Sequence, residues 1–233
     1  MTGRILGTGA YVPARTVENQ ELAKVVDTND AWIQERTGIA RRHLIEEETT
    51  SYMAAQAARE ALLQAGIAGE NVDLILVATS TPDTIFPCVA CEVQKEIGAA
   101  NSPGFDLNAA CSGFLFAYQT AQAYIQAGLY KTILVIGADS MSQVIDWTDR
   151  GTCILFGDGA GAVVLRAEAG GVSFHAAHSN GAGGNVLTGR SRHRKGWEEP
   201  KRMEETFLHM DGQQVFKFAV RSVPEIVEEL LKQ

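Results

Sequence analysis

Val72-Asp73-Leu74-Ile75-Leu76-Val77-Ala78 is an almost unbroken apolar run, and Thr132-Ile133-Leu134-Val135-Ile136 repeats it later in the chain. Runs of this length and β-branched content read as strands covered on both faces, because a half-exposed strand would alternate with polar residues. Between them lie a helical pattern at Pro87 to Ile97, an extended Gly104 to Leu107, and a helical Ser112 to Gln126 stopped by Gly128. Upstream, Ser51 to Ala65 keeps apolar and alanine residues at helical spacing, with Ser51 as the expected cap and Gly66 as the stop. The resulting β-α-β-α-β rhythm predicts a parallel sheet with helices on both faces, an α/β fold.

Outward from this centre, Arg4 to Thr8 and Ile39 to Leu44 read as strands, and Asn19 to Val26 and Asp30 to Arg36 as helices. After Gly151 the rhythm changes. Cys153 to Phe156 and Ala160 to Leu165 flank Gly157-Asp158-Gly159, which predicts a hairpin. Val172 to Ala177 and Phe207 to Met210 read as strands, and Gly212 to Leu231 as a strongly apolar-faced helix. His178 to Glu205 is polar. Its stretch Arg190 to Glu205, with six basic and four acidic side chains, reads as a solvated loop.

The 233 residues carry 28 acidic and 20 basic side chains, a net charge of −8. That balance argues against a nucleic-acid binder, which would show a basic patch. With 45% hydrophobic and 21% charged residues the chain is an ordinary globular one. No apolar run approaches the ~20 residues of a membrane span. The N-terminus runs straight into a strand pattern without a signal-peptide stretch, so a cytoplasmic location is expected.

Cys88 and Cys91 form a lone C-x-x-C, while Cys111 and Cys153 are isolated. A zinc site needs a second ligand pair at suitable spacing, and none is found, so no metal is expected. A redox role for Cys88 and Cys91 is open; the alternative is two small apolar residues on the first turns of a helix. The glycines of Gly7-Thr8-Gly9 and Gly157-Asp158-Gly159-Ala160-Gly161 lack the strand-to-helix context of a dinucleotide fingerprint, and read as tight-turn glycines. Phosphate-loop spacing is also missing from the sequence.

The chemically richest stretch is Asp106-Leu107-Asn108-Ala109-Ala110-Cys111-Ser112-Gly113-Phe114. A cysteine among small residues where a helix begins can be approached closely by backbone and substrate. The helix amides favour thiolate over thiol and could hold an oxyanion. Cys111 is therefore a candidate nucleophile, with a buried structural cysteine as the alternative. His43, His175, His178, His193 and His209 carry no local signature of a base. Trp32 and Arg36, four apart on one helix, and Arg150 could form a stacking surface beside cations, or could simply pack on the surface.

Taken together, several motifs resemble the β-ketoacyl-acyl carrier protein synthase III family, whose fold is thiolase-like. They are Gly7 to Pro13, Trp32 to Ile39, Asn108 to Phe114, Asp149 to Thr152, and Phe156 to Ala162, with Met210 to Val220 similar to a helix-opening segment. The resemblance implies two similar α/β halves, here 1–170 as the first and 171–233 as the truncated opening of the second. It implies that an acyl-CoA acylates Cys111, and that malonyl-acyl carrier protein then loses CO2 and attacks the acyl-enzyme, starting fatty acid synthesis. It places Trp32 and Arg150 around the CoA adenine and Thr28 and Arg36 at the nucleotide end. Phe86, Met141, Phe156 and Leu208 would line the acyl pocket, Phe86 reaching into a homodimer partner, and Lys217 would meet the carrier protein. It implies no cofactor beyond the CoA thioester itself. The family's later histidine and asparagine have no counterpart here, since no H-x-A-N-type motif occurs. Two other readings stay open: acyl transfer from CoA through Cys111 without condensation, and a non-catalytic shortened scaffold. The apolar face of Gly212 to Leu231 with no strand after it leads us to expect a natural chain continuing past Gln233. The 233 residues alone are expected not to condense.

Overall fold

A computed structural model describes residues 1–189 and 207–233. The charged stretch Arg190 to Glu205, with His193, lies outside them. The chain divides into two compact units: residues 1–16, 43–141 and 157–173, and residues 17–42, 142–156 and 174–233.

The first unit is built on a five-stranded sheet of β1 (Thr2–Tyr11), β4 (Leu74–Ala78), β5 (Gly104–Leu107), β6 (Thr132–Ser140) and β7 (Asp158–Glu168), in the order β1-β7-β6-β4-β5. β4 runs parallel to both β5 and β6, as the rhythm predicts. The sheet as a whole is mixed, however, because β7 runs antiparallel to β6 and β1. The expected hairpin at Gly157-Asp158-Gly159 is not formed. Asp149 caps a short helix, α6 (Arg150–Cys153), and Asp158 to Glu168 is one continuous strand. The glycines there start a strand instead of turning one. Val172 to Ala177 forms no strand either; Gly170 and Gly171, at φ 83° and 85°, break the extended chain just before it.

Both sheet faces are covered. Ile75, Val77, Leu134, Ile136 and Val164 pack under α3 (Thr50–Ala65) and α4 (Val89–Glu96), while Leu74, Leu76, Ile133, Val135 and Leu165 pack under α5 (Gly113–Gln126). The period-two division of one apolar run between two cores explains why β4 and β6 show no polar alternation. Helix starts are tied down by distant carboxylates. Asp106 of β5 accepts from Val89 N and Ala90 N at 2.9 and 2.8 Å, and Asp83 accepts from Thr50 N and Ser51 N at 2.7 and 2.8 Å. α3 is capped by the Thr49 side chain, two residues earlier than the expected Ser51. At the sheet edge, buried Gln122 accepts from Gly3 N and donates to Gly3 O, both at 2.8 Å, satisfying backbone that has no strand partner on that side.

Gly7 and Gly9 are not turn residues. They lie inside β1, where a Cβ would come within 2.3 Å of Ala61 O and 2.1 Å of Ala57 O on α3. Glycine here, with alanines on the facing helix, sets how closely strand and helix approach.

The second unit holds α1 (Asn19–Leu22, shorter than the expected Asn19 to Val26), α2 (Asp30–Thr37), α6, and most of the pair β2 (Thr16–Glu18) and β3 (Arg41–His43), whose outer residues Thr16 and His43 fall in the first unit. The second unit also holds β8 (Leu187–Thr188) paired with β9 (His209–Met210), and α7 (Gly212–Leu230) capped by Asp211. No side chain of α7 is buried among the described residues, and Phe216 and Phe218 are exposed.

Gly9→Ala is expected to destabilise the first unit by at least about 2 kcal/mol, since backbone rather than a movable side chain occupies the Cβ position. Urea unfolding followed by circular dichroism measures this. An unchanged midpoint would show that the strand–helix approach is not tight.

Candidate active site

The turn holding Cys111 is set by backbone strain and short polar ties. β5 ends at Leu107, and Ala110 to Ser112 form a single 3-10 turn before α5 begins at Gly113. Cys111 thus stands just before the N-cap residue Ser112, not inside the helix, and it is exposed. Ala110 adopts φ 47°, a left-handed conformation that costs a non-glycine residue on the order of 1–3 kcal/mol. Asn108 Oδ1 holds this bend, accepting from Ala110 N at 3.3 Å and from Ser80 Oγ at 3.1 Å. Ser112 makes no side-chain cap, so the first amides of α5 keep their donors free of one.

Beside Cys111 opens a hollow of about 350 Å³. Its walls are mostly small: Ala78, Ala110, Gly137, Gly159, Ala160 and Gly161, with Phe114 and Asp139 as the larger members. Gly113 lets α5 start close over β4, since a Cβ there would lie 3.1 Å from Ala78 Cβ. Asp139, at the carboxyl end of β6, binds the segment after β4: Oδ1 accepts from Ser80 N at 2.8 Å, Thr81 N at 3.1 Å and Thr81 Oγ1 at 2.9 Å. Thr50 Oγ1 and Ser140 Oγ lie 2.7 Å apart behind it. The thiol therefore stands at a rigid, hydrogen-bonded strand end. No histidine lines this hollow among the described residues.

A second cluster lies in the other unit. Asn29 caps α2 by accepting from Trp32 N, and Trp32 projects from the first turn. The Arg36 and Arg150 guanidiniums lie 4.5 and 4.8 Å from the Trp32 ring centroid. Arg150 is further held by Asp27 O at 2.9 Å. Thr28 Oγ1 is enclosed and has no hydrogen-bond partner among the described residues. The structure thus brings Trp32, Arg36 and Arg150 together. Sequence reasoning missed Asp139, although a carboxylate ending an apolar strand is a usable signal. It also missed the bend at Ala110, which no residue type announces.

A family model described as 3-oxoacyl-[acyl-carrier-protein (ACP)] synthase III matches residues 105–194, which include Cys111. A beta-ketoacyl-[acyl-carrier-protein] synthase III 1 of Bacillus anthracis is 47% identical over 222 residues, 94% of this chain and 67% of its own length. One from Clostridium acetobutylicum is 45% identical over 231 residues, 97% and 71% of the two chains. This chain belongs to the synthase III family. The crystal structure of 3-oxoacyl-[acyl-carrier-protein] synthase III from Aquifex aeolicus VF5 has a TM-score of 0.90 at 42% identity, covering 99% of this chain and 71% of that one. The synthase III fold is thiolase-like, in keeping with the mixed α/β sheet.

Of the other residues proposed for this synthase III chain, Met141, Phe156 and Leu208 are half-buried, and Lys217 is exposed on α7. Phe86 is 84% exposed beside Ile85 at 73%. Cys88 and Cys91 open α4 with their sulfurs 3.5 Å apart. Contact with Cys88, followed by burial, pushes the Cys91 thiol up. Less Cys91 is therefore thiolate at pH 8, and iodoacetamide should label Cys91 more slowly there than in Cys88→Ala. Peptide mass spectrometry over a time course reads both rates. Equal rates would mean that the paired thiols do not restrain each other.

Proposed function

We propose that this synthase III primes fatty acid synthesis by joining an acyl-CoA to malonyl-acyl carrier protein through a thioester on Cys111. The observation that carries this reading is an exposed thiol at a strained turn, beside a hollow walled by alanine and glycine and at the start of an uncapped 14-residue helix. Small walls leave room for a short acyl group, and the positive end of the α5 dipole favours developing negative charge.

In the proposed sequence, Cys111 Sγ attacks the thioester carbonyl, the tetrahedral oxyanion collapses, and CoA thiolate leaves. Malonyl-acyl carrier protein then loses CO2. Its carbanion attacks the Cys111 acyl carbon, giving the β-ketoacyl carrier protein and restoring the Cys111 thiolate. Trp32 and Arg150 take the adenine by stacking and cation–π attraction, and Arg36 and Thr28 take the rest of the nucleotide end. Met141, Phe156, Leu208 and Phe86 are proposed for the acyl pocket, and Lys217 for the acidic carrier. This chemistry calls for no cofactor beyond CoA, and a cytoplasmic site is proposed for it. No helix among the described residues is long and apolar enough to cross a membrane.

Acetyl-CoA is expected to add one hydroxylamine-labile acetyl group to the protein, and Cys111→Ala to abolish it, as read by intact mass. Trp32→Ala should raise the KM for acetyl-CoA several-fold while changing kcat less, each stacking contact being worth roughly 1 kcal/mol. Acetylation at Cys88, Cys91 or Cys153 instead would overturn the assignment of the nucleophile.

We also propose a homodimer through the loop bearing Ile85 and Phe86. Their exposure leaves two large apolar side chains together in water, a surface that a symmetric partner would cover. Phe86→Ala should raise the dimer dissociation constant in sedimentation velocity. A wild-type protein that stays monomeric at all concentrations would refute the interface.

A further inference from the structure

The second unit contains a buried cation with no anion beside it among the described residues. Arg42 of β3 is 4% exposed, yet no carboxylate approaches its guanidinium among the described residues. It donates instead to Val17 O at 3.0 Å, Asn19 Oδ1 at 2.7 Å and Ile154 O at 3.3 Å, and its Nε has no acceptor among the described residues. The nearby Cys153 cannot serve as a counter-ion: burial, with Asp149 adding to it, pushes that thiol up, so it stays neutral. An unpaired buried charge is costly. The groups it holds connect to two helices.

They lead to both sides of the Trp32 cluster. Asn19, itself 1% exposed, uses its Nδ2 to bind Asp30 Oδ1 at 2.8 Å and Ile39 O at 2.7 Å. Asp30 opens α2, the helix of Trp32 and Arg36, and its carboxylate also takes Gln34 Nε2 at 2.8 Å, strapping the first turn. On the other side, Ile154 is the C-cap of α6, the short helix that Arg150 opens. One guanidinium thus ties the base of α2, through Asn19 and Asp30, to the end of α6. The Trp32 ring and Arg150 guanidinium that face each other at 4.8 Å are carried by those same two helices.

We propose that Arg42 is a positioning residue for the nucleotide end of the thioester donor: from the interior it fixes α2 against α6, and so sets the grip of Trp32 and Arg150. This rests on the acyl-CoA reading above. Lysine cannot replace it, because a single ammonium lacks the planar fork that reaches three acceptors in different directions.

The test compares two donors in the full-length protein: acetyl-CoA, and S-acetyl-pantetheine, which has the same thioester without the nucleotide. The readout is the ratio of their second-order rate constants for acetylating Cys111, followed by intact mass. A general loss of folded protein lowers both constants by one factor and leaves the ratio alone. Arg42→Lys and Arg42→Gln are each expected to lower the ratio about tenfold, the scale of a misplaced binding group. A lowered rate with an unchanged ratio would overturn the proposal. Should neither variant fold, Asp30→Ala decides. It cuts the same chain of bonds at its outer end without stranding a charge, and should lower the ratio about threefold; an unchanged ratio again overturns the proposal. A wild-type protein that shows no preference for acetyl-CoA would instead overturn the acyl-CoA reading, and this inference with it.

Discussion

The central strand pair β4 and β6 has water on neither face, and the rest of the first unit follows from that. Leu74 through Ala78 and Ile133 through Ile136 are all buried, their side chains alternating between two separate cores. Where these strands end, their backbone groups must find new partners. The carboxyl ends of β4 and β6 are closed by side chains: Asp139 gathers Ser80 and Thr81, Thr81 Oγ1 accepts from Ser140 N at 2.8 Å, and Thr50 meets Ser140. The hollow beside Cys111 is therefore bounded by a frame that has few ways to move.

Small residues play two opposed parts around that frame. Within β1 and α3 they remove volume so that backbone meets backbone, as at Gly7 and Gly9 against Ala61 and Ala57. At Gly137, Gly159, Ala160 and Gly161 they remove volume and leave a space. Composition cannot separate the two cases. Which of them a glycine serves depends on what the sheet order places over it. β7 inserts between β1 and β6 by running antiparallel to both, which turns Gly159 and Gly161 from expected turn residues into strand residues beside the hollow.

Much was legible along the chain because it depends on neighbours close in sequence. Apolar runs located β4 and β6; helical spacing located α3, α5 and α7; and Gly66 and Gly128, at φ 65° and 73°, marked helix ends as expected. The cysteine among small residues stood out for the same local reason. The readings that failed share the opposite cause. The expected hairpin at Gly157 and the strand expected after Gly170-Gly171 both lean on glycine punctuation, and glycine allows a turn without requiring one.

What the sequence determined by itself is the α/β class, the order of its elements, and the stretches that place the chain in the synthase III family. These rest on periodicity and on motifs whose residues are contiguous. What only the tertiary structure decided is where charge and strain are stored. Nothing in the sequence singles out Arg42, yet β2–β3 pairing and α6 enclose it, with backbone carbonyls and one asparagine as its partners among the described residues. Ala110 carries φ 47° although alanine does not favour it, because β5 and α5 fix the chain on either side of the turn. Asp139, Asp106 and Asp83 find partners 16 to 60 residues away. The physical reason is range: propensity and patterning act within a turn or a strand, whereas hydrogen-bond satisfaction of buried groups is settled only when distant segments meet.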